Sequence, residues 1–167
     1  MKLKIYYIVF IIMAAIILNG CTKQTTDPLM DARPNVPVNI TNATEYRPDP
    51  TVTTSLTGGG NIQIVLAIPE QSGRTIKEIT RIAASTSYSK IQSTGATGWY
   101  VATPISVGAT TYTYNTSVTE YFSKFPVSAS NPAAKANAEL ALRLYFLITL
   151  DDGSQVVTMP VRVLVLA

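Results

Sequence analysis

The chain has 167 residues, of which only 14% are charged, and it contains 13 basic and 10 acidic residues, one cysteine and no histidine. Without histidine and with one cysteine, it lacks the usual metal ligands and the commonest general base, and no internal disulfide can form. Without Lys2 and Lys4 of the N-terminal segment, 11 basic residues face 10 acidic ones and form no basic cluster. We therefore expect no cofactor, no metal and no nucleic-acid partner.

The N-terminal segment has the pattern of a secretory signal. Lys2 and Lys4 precede an apolar run over residues 5–18, which is shorter than the roughly 20 residues that a membrane-spanning helix needs. The small residue Gly20 closes the segment. The sequence therefore predicts a signal peptide over residues 1–20, which is removed from the mature protein.

Cys21 could be a free thiol, half of an intermolecular disulfide or a lipid acceptor. Its position favours the third, because Leu18-Asn19-Gly20-Cys21 resembles the lipobox of bacterial lipoproteins. The resemblance implies that Cys21 is acylated, with palmitate-like chains, and becomes the mature N-terminus. Thr22, where aspartate would resemble an inner-membrane retention signal, implies the outer membrane, with its periplasmic or exterior face left open. The alternative is an ordinary cleaved signal that ends near a cysteine.

The segment after the cysteine is rich in proline and has no sustained hydrophobic period. Half of the ten prolines lie between residues 22 and 50, namely Pro28, Pro34, Pro37, Pro48 and Pro50. Because proline fixes φ and biases its predecessor to extended conformations, we predict a semi-rigid tether over residues 21–50. The alternative is that residues 36–40 add an edge strand to the following domain.

The first half of that domain, residues 51–167, reads as strands. Residues 51–56 alternate and residues 62–68 are apolar, and three glycines between them indicate a turn. A further turn is expected at residues 69–73. Residues 76–84 fit both a helical stripe and a β-branched strand, and we predict a strand.

Further strands and a short helix are expected in the middle of the chain. Residues 88–92 and 99–102 flank a loop rich in glycine, serine and threonine, which predicts a hairpin or a sheet-crossing loop. Residues 110–115 predict a strand whose threonines and tyrosines lie on opposite faces. Ser117 and Glu120 have the spacing of a capping box, which predicts a helix through Lys124.

A second helical turn is expected where Asn131 precedes Pro132, through the alanine-rich stretch to Ala138.

The C-terminal region has the clearest pattern, two alternating apolar runs joined by Asp151-Asp152-Gly153-Ser154. Asp-Gly between such runs is a strong hairpin marker. Pro160 cannot donate to a ladder, which predicts that the last strand lies at an edge or contains a bulge. The side chains expected on the buried faces are Leu140, Leu142, Leu144, Phe146, Ile148 and Leu150, and then Val157, Met159, Val161, Val163 and Val165.

About seven strands with frequent turns and one or two short helices predict an all-β fold, an antiparallel Ig-like or fibronectin-like β-sandwich. Four segments also resemble small Ig-like lipoproteins of Bacteroidota, of the kind that accompany SusE/SusF-like glycan-uptake systems: residues 76–85 (IKEITRIAAS), 119–122 (TEYF), 142–154 (LRLYFLITLDDGS) and 160–163 (PVRV). The resemblance covers residues 51–167 and implies an accessory or binding module, with a glycan or an outer-membrane uptake complex as partner. It transfers no binding residue.

The candidate site residues are few. Asp151 and Asp152 supply too few oxygen ligands for a Ca²⁺ site. No two glutamates are expected to face each other as the catalytic carboxylates of a glycosidase do, because they lie on separate elements: Glu70, Glu78, Glu120 and Glu139. The chain is therefore not expected to be an enzyme. The candidate ligand platform consists of the aromatic side chains Trp99, Tyr100, Tyr112, Tyr114 and Tyr121. The alternative for them is core packing, and the alternative function is an interaction protein that docks a partner through a sheet edge near Pro160.

Overall fold

The computed structural model describes residues 34–95 and 97–167, so the predicted signal peptide, Cys21 and the first part of the predicted tether lie outside the described residues. Within these residues most of the regular secondary structure is β-strand. Its strands are β1 (Asn39–Ile40), β2 (Thr51–Ser55), β3 (Asn61–Ala67), β4 (Ile76–Ser85), β5 (Ile105–Ala109), β6 (Thr111–Ser117), β7 (Ala138–Glu139), β8 (Arg143–Leu150), β9 (Gln155–Val157) and β10 (Arg162–Leu166). The helices are a 3-10 turn (Glu70–Ser72), α1 (Ser89–Gln92) and α2 (Val118–Lys124).

The strands form three sheets. Sheet A has the order β1-β3-β6, sheet B the order β2-β10-β7, and sheet C the order β5-β4-β8-β9. Every pairing is antiparallel except that of β2 with β10, which is parallel. A single antiparallel bridge between Leu144 and Val161 links sheet C to the segment that enters sheet B. The predicted all-β class is therefore confirmed.

Strand β8 lies at the centre of the core. Its partner β4 pairs with it from Ile76 opposite Leu150 to Ser85 opposite Arg143, with two register shifts along the way. Because successive side chains of a strand point to opposite faces, both faces of β8 need cover. Leu144 and Phe146 join the main core, whereas Tyr145 and Leu147 form a second buried cluster with Ala83 and Ile91.

Residues 76–84 form a strand, as predicted. The inward side chains Ile76, Ile79 and Ile82 are fully buried, and register shifts between them explain their helix-like spacing of three. A bulge inserts one extra residue into one strand and so changes which residues face the core.

The last part of the predicted tether, residues 34–50, lies in the compact β unit. Asn39 and Ile40 pair with Ala67 and Leu66 of β3, and Ile40 is only 2% exposed. Residues 34–50 therefore belong to the compact β unit, because an apolar side chain buried against β3 holds them there. The edge strand considered as the alternative is present as β1.

The glycine turn after β2 is a crossing between sheets rather than a hairpin. Strands β2 and β3 belong to sheets B and A and do not pair with each other. Gly60 has a positive φ, and a Cβ atom there would meet the Cβ of Val118 at 3.2 Å. A side chain at this position would strain the backbone and force Val118 to shift by a few tenths of an ångström.

Three local predictions in the middle of the chain are wrong. Residues 89–92 form the helical turn α1, and residues 99–102 contribute a single bridge from Val101 to Ile82 instead of a strand. The expected helical turn after Asn131 is absent from the described chain, because Asn131 is buried and makes tertiary hydrogen bonds. Strand β5 was not predicted, since Gly108 interrupts its apolar pattern.

The end of the C-terminal hairpin also differs. β8 and β9 form the predicted hairpin, and Gly153 has the positive φ that the turn requires. However, Met159 is 49% exposed, because the strand breaks between Val157 and Arg162 and the chain passes to sheet B. β10 is the central strand there, so the prediction that the last strand lies at an edge is wrong; Pro160 lies in the break between β9 and β10.

Truncating the centre of β8 should destabilise the protein strongly. Phe146 is fully buried and contacts Tyr114 edge-on at 5.6 Å between ring centroids. Phe146→Ala should lower the free energy of unfolding by about 3 to 5 kcal/mol through the cavity it leaves. The measurement is urea unfolding, with exposed Lys77→Ala as the control, expected to be nearly neutral. Equal losses for both variants would contradict this assignment of the core.

Candidate functional site

The five aromatic side chains predicted as a platform do not form one. Tyr100, Tyr114 and Tyr121 are 2%, 6% and 1% exposed, so they are core residues. Tyr112 and Trp99 are half-buried. The physical reason is strand alternation and sheet packing: Tyr112 and Tyr114 share the face of β6 that points toward the interior. The platform prediction is therefore wrong, and the core-packing alternative describes these residues.

Tyr100 belongs to a polar network around α2. Its hydroxyl contacts the Thr116 hydroxyl, which donates to Glu120 Oε2 at 3.0 Å. Lys124 Nζ lies 2.7 Å from Glu120 Oε1 and donates to the Tyr100 carbonyl at 2.7 Å. The Ser117 side chain accepts from the Glu120 N–H, so the predicted helix N-cap is present. Each polar group is paired within the network, which points to a structural role.

A second network fixes the segment after α2. The Tyr121 hydroxyl donates to Asn131 Oδ1 at 2.7 Å and accepts the Leu142 N–H at 3.1 Å. Asn131 Nδ2 donates in turn to the Phe125 carbonyl at 2.8 Å. These bonds tie the loop to the beginning of β8 and leave the Tyr121 hydroxyl fully used.

Burial sets the acidity of the tyrosines in these networks. It raises the pKa of Tyr100 to about 12 and also raises the pKa of Tyr114 and Tyr121. The pKa of Glu120 is lowered, chiefly by its hydrogen bond with Lys124. The tyrosines are therefore neutral and Glu120 is charged at neutral pH.

The remaining acidic residues singled out in the sequence do not converge. Asp152 pairs with Arg74 at 3.0 Å, Asp151 lies 3.7 Å from the same guanidinium, and Glu139 pairs with Arg162. Within residues 34–95 and 97–167, no group of three or more acidic, histidine or cysteine side chains is placed to hold a metal.

One cleft of about 270 Å³ adjoins the Arg74 ion pair and the hairpin turn. Residues 34–36 and β9 contribute its other walls. Arg74 pairs there with both Asp151 and Asp152, so its charge is neutralised within the protein.

Trp99 covers the outer side of sheet C. Arg81 Cζ lies 4.7 Å and Lys90 Nζ 5.4 Å from the centre of its ring. Arg81 also donates through Nε and Nη2 to the Ile91 carbonyl, at 3.2 and 2.9 Å. The two cations contact the π-system, so the indole ring is engaged within the protein. Trp99 therefore packs against the second buried cluster, which includes Ile91 of α1.

One aromatic ring on this side of sheet C is exposed, that of Tyr88, and we call it, together with the buried Tyr145 and with Arg143 and Asp49, the Tyr88 patch. Tyr88 is 41% exposed and meets the Tyr145 ring edge-on at 4.9 Å. Arg143 Nη1 lies 3.3 Å from Asp49 Oδ2. The patch thus places an accessible aromatic ring beside a planar cation and a carboxylate. Three separate segments contribute its members, since Arg143 and Tyr145 both lie on β8, so no local sequence motif identifies it.

The tyrosine hydroxyls of the patch lie in a common electrostatic environment. The pKa of Tyr88 is raised by partial burial and then by Tyr145 and Asp49. The pKa of Tyr145 is raised mainly by burial, and the Arg143 guanidinium opposes this increase. Both hydroxyls are therefore protonated at neutral pH, but the Tyr88 hydroxyl donates to the Thr158 carbonyl at 3.4 Å and Tyr145 is only 2% exposed.

Comparison with protein-family models, curated protein sequences and solved structures gave no match for this chain. Among the described residues, none of the helices is both long and apolar enough to span a membrane.

The charge of Glu120 should contribute to stability in a pH-dependent way. Its folded pKa lies below the ordinary value of 4.5, so its contribution is present above that pH and is lost as pH falls through the folded pKa. Glu120→Gln should therefore show a shallower loss of stability between about pH 5 and pH 3 than the parent chain. Urea unfolding at a series of pH values measures this slope. Exposed Glu70→Gln is the control, and equal slopes for the two variants would refute the prediction.

Proposed function

We propose that the chain is a non-catalytic lipoprotein of the outer membrane whose β domain binds a glycan through the Tyr88 patch. The observation that supports this most directly is the exposed Tyr88 ring beside the Arg143–Asp49 pair. Lipid attachment at Cys21 would hold the domain at the membrane surface, and the resemblance to lipoproteins of glycan-uptake systems suggests the ligand class.

The chemistry of the patch suits a carbohydrate. A tyrosine offers an apolar ring face with a polar tip, which matches the mixed apolar and hydroxylated surface of a sugar ring. Arginine provides several fixed donors for sugar hydroxyl groups, while the Asp49 side chain, only 15% exposed, pairs with Arg143 from the protein side. The Arg143 side chain is 41% exposed, which leaves part of its guanidinium accessible to a ligand.

The two-layer arrangement proposed for the domain is an Ig-like or fibronectin-like sandwich. The Tyr114–Phe146 contact joins the inward faces of sheets A and C, and a single cluster of apolar side chains fills the space between the strands. Alternating inward and outward residues along β3 and β6 fit such a layer. The parallel pairing of β2 with β10 forms part of the third sheet, sheet B.

A binding role is favoured over catalysis by the disposition of the carboxylates. Hydrolysis of glycosides commonly uses two carboxyl groups that face each other across a substrate. Here Glu120, Glu139 and Asp152 are each paired with a cation of their own. Asp49 of the Tyr88 patch is likewise paired with Arg143.

Removing the exposed ring should abolish glycan retention. Tyr88→Ala should lose retardation in affinity electrophoresis against a panel of polysaccharides that slows the parent chain, whereas Tyr88→Phe should keep most of it. The reason is that the ring face contributes the contact and the hydroxyl is secondary.

Two controls make this test specific. Tyr46→Ala removes another exposed tyrosine, 54% accessible, and should leave retention unchanged. Trp99→Ala should reduce thermal stability, because Trp99 covers α1, without abolishing retention at a temperature where the variant remains folded. Loss of retention in Trp99→Ala but not in Tyr88→Ala would refute the assignment of the patch.

Membrane attachment should depend on a single sulfur atom. Cys21→Ser in the full chain should move the protein from the membrane fraction to the soluble fraction, since two or more acyl chains are needed for stable anchoring and none could attach. Mass spectrometry of the N-terminal peptide of the parent chain should show an acylated Cys21 as first residue. An unmodified Cys21 would refute the anchor and leave the glycan test unaffected.

A further inference from the structure

Strand β6 has the longest free edge in the part of the chain that the structure describes. It pairs with β3 on one side along its whole length, Thr111 opposite Ala67 to Ser117 opposite Asn61, without a register shift. No other strand among residues 34–95 and 97–167 pairs with its second side. The other edges are shorter or irregular: β1 and β7 have two residues, β9 has three, β2 has five, and β5 contains a register shift.

The register shows which backbone groups point outward. The Ile68 N–H donates to the Thr110 carbonyl at 2.9 Å, and the Val118 N–H donates to the Gly60 carbonyl at 2.8 Å. In an antiparallel ladder, hydrogen-bonded pairs alternate with unbonded ones, so residues 112, 114 and 116 bond to β3. The N–H and C=O groups of Thr111, Thr113, Asn115 and Ser117 therefore point away from β3.

The side chains along this edge carry no charge that would repel another strand. Thr111, Thr113 and Asn115 are exposed, and the whole stretch of residues 91–119 contains no charged residue. Neither a proline nor a bulge interrupts β6. Soluble proteins usually protect a long edge with lysine, proline, a bulge or a covering loop. β6 has none of the first three and is rich in β-branched and aromatic residues, which favour strand pairing.

We infer that β6 pairs antiparallel with β6 of a second copy of this chain, across a twofold axis at Tyr114. Full overlap of the two strands places Thr113 opposite Asn115 of the second copy, and Thr111 opposite its Ser117. These pairs join hydroxyl and amide groups, and no like charges meet, so the strand is complementary to itself. The Ser117 carbonyl accepts the first hydrogen bond of α2, so the outward groups of the two strands form about six backbone hydrogen bonds in this register.

We assign a second copy of the chain as the partner because β6 itself provides a free edge strand and side chains without like charges. A different partner would need its own free edge strand, whereas a twofold axis supplies an identical free edge in the matching antiparallel direction. The inference is independent of the proposed glycan binding, since the Tyr88 patch lies on sheet C and β6 lies in sheet A.

Site-directed cross-linking in the full chain tests the interface. Thr113→Cys places two thiols on diagonal neighbours, about 7 to 8 Å apart, within reach of a short bis-maleimide reagent. Treatment of the purified full-length variant should produce a covalent dimer of twice the chain mass. Asn115→Cys should behave in the same way, because it is also one residue from the axis.

Three controls define the background and the specificity. The parent chain reports any reaction of Cys21, and Thr94→Cys places a thiol at an exposed threonine away from the edge. Adding Thr113→Lys to the Asn115→Cys variant should abolish the dimer, because two like charges then face the interface, whereas adding Thr113→Ser should retain it.

The outcomes are decisive in both directions. Dimer formation above both backgrounds that is lost with Thr113→Lys supports the interface. Dimer levels no higher than those of Thr94→Cys, or cross-linking only to a protein of a different mass, would overturn the assignment of a second copy. Persistence of the dimer in the Thr113→Lys variant would overturn the proposed edge pairing.

Discussion

Burial of both faces of β8 is the constraint on which the rest of this domain depends. Phe146 and Ile148 fill the main core on one side, and Tyr145 and Leu147 require cover on the other. That cover cannot come from a second regular sheet, because the chain places α1 and Trp99 there. The irregular segment between β4 and β5 is therefore a structural cap. Tyr88 lies at the border of that cap and stays accessible, which is how an aromatic ring comes to be exposed beside charged groups.

The two proposed surfaces are chemically opposite. The Tyr88 patch contains a cation and a carboxylate that are partly desolvated, whereas the β6 edge contains only hydroxyl and amide side chains and backbone groups. A charged, mixed surface favours recognition of a directional ligand with many hydroxyl groups. An uncharged edge favours backbone pairing, in which the sequence of the partner matters less. Because the surfaces belong to different sheets, occupation of one need not remove the other.

The sequence predicted the elements whose signals are local. The alternation in β6, the Asp-Gly turn after β8 and the Ser117 cap each depend on a few neighbouring residues, and each is present. What the sequence could not reveal depends on pairing over long distances. β2 and β3 are adjacent in sequence but join different sheets, and β10 leaves the hairpin to pair with β2, more than a hundred residues away. Met159 was expected inside because the alternating pattern continues through a break that only the sheet change explains.

The candidate site shows the same limit more sharply. Trp99 and the tyrosines were chosen for their residue type, yet residue type does not distinguish a binding aromatic from a core aromatic, and three of the tyrosines are buried. Tyr88 has an accessible ring, and we propose it as a binding residue because of Asp49 and Arg143, which are distant from it in sequence. Charge distribution is the more informative signal here. About one residue in seven of the chain is charged, yet residues 91–119 contain no charged residue. This run includes β6, a long strand whose free edge has no charge, proline or bulge to prevent pairing. Because charged side chains prevent strand edges from pairing, their absence from this run favours pairing of the β6 edge with another strand.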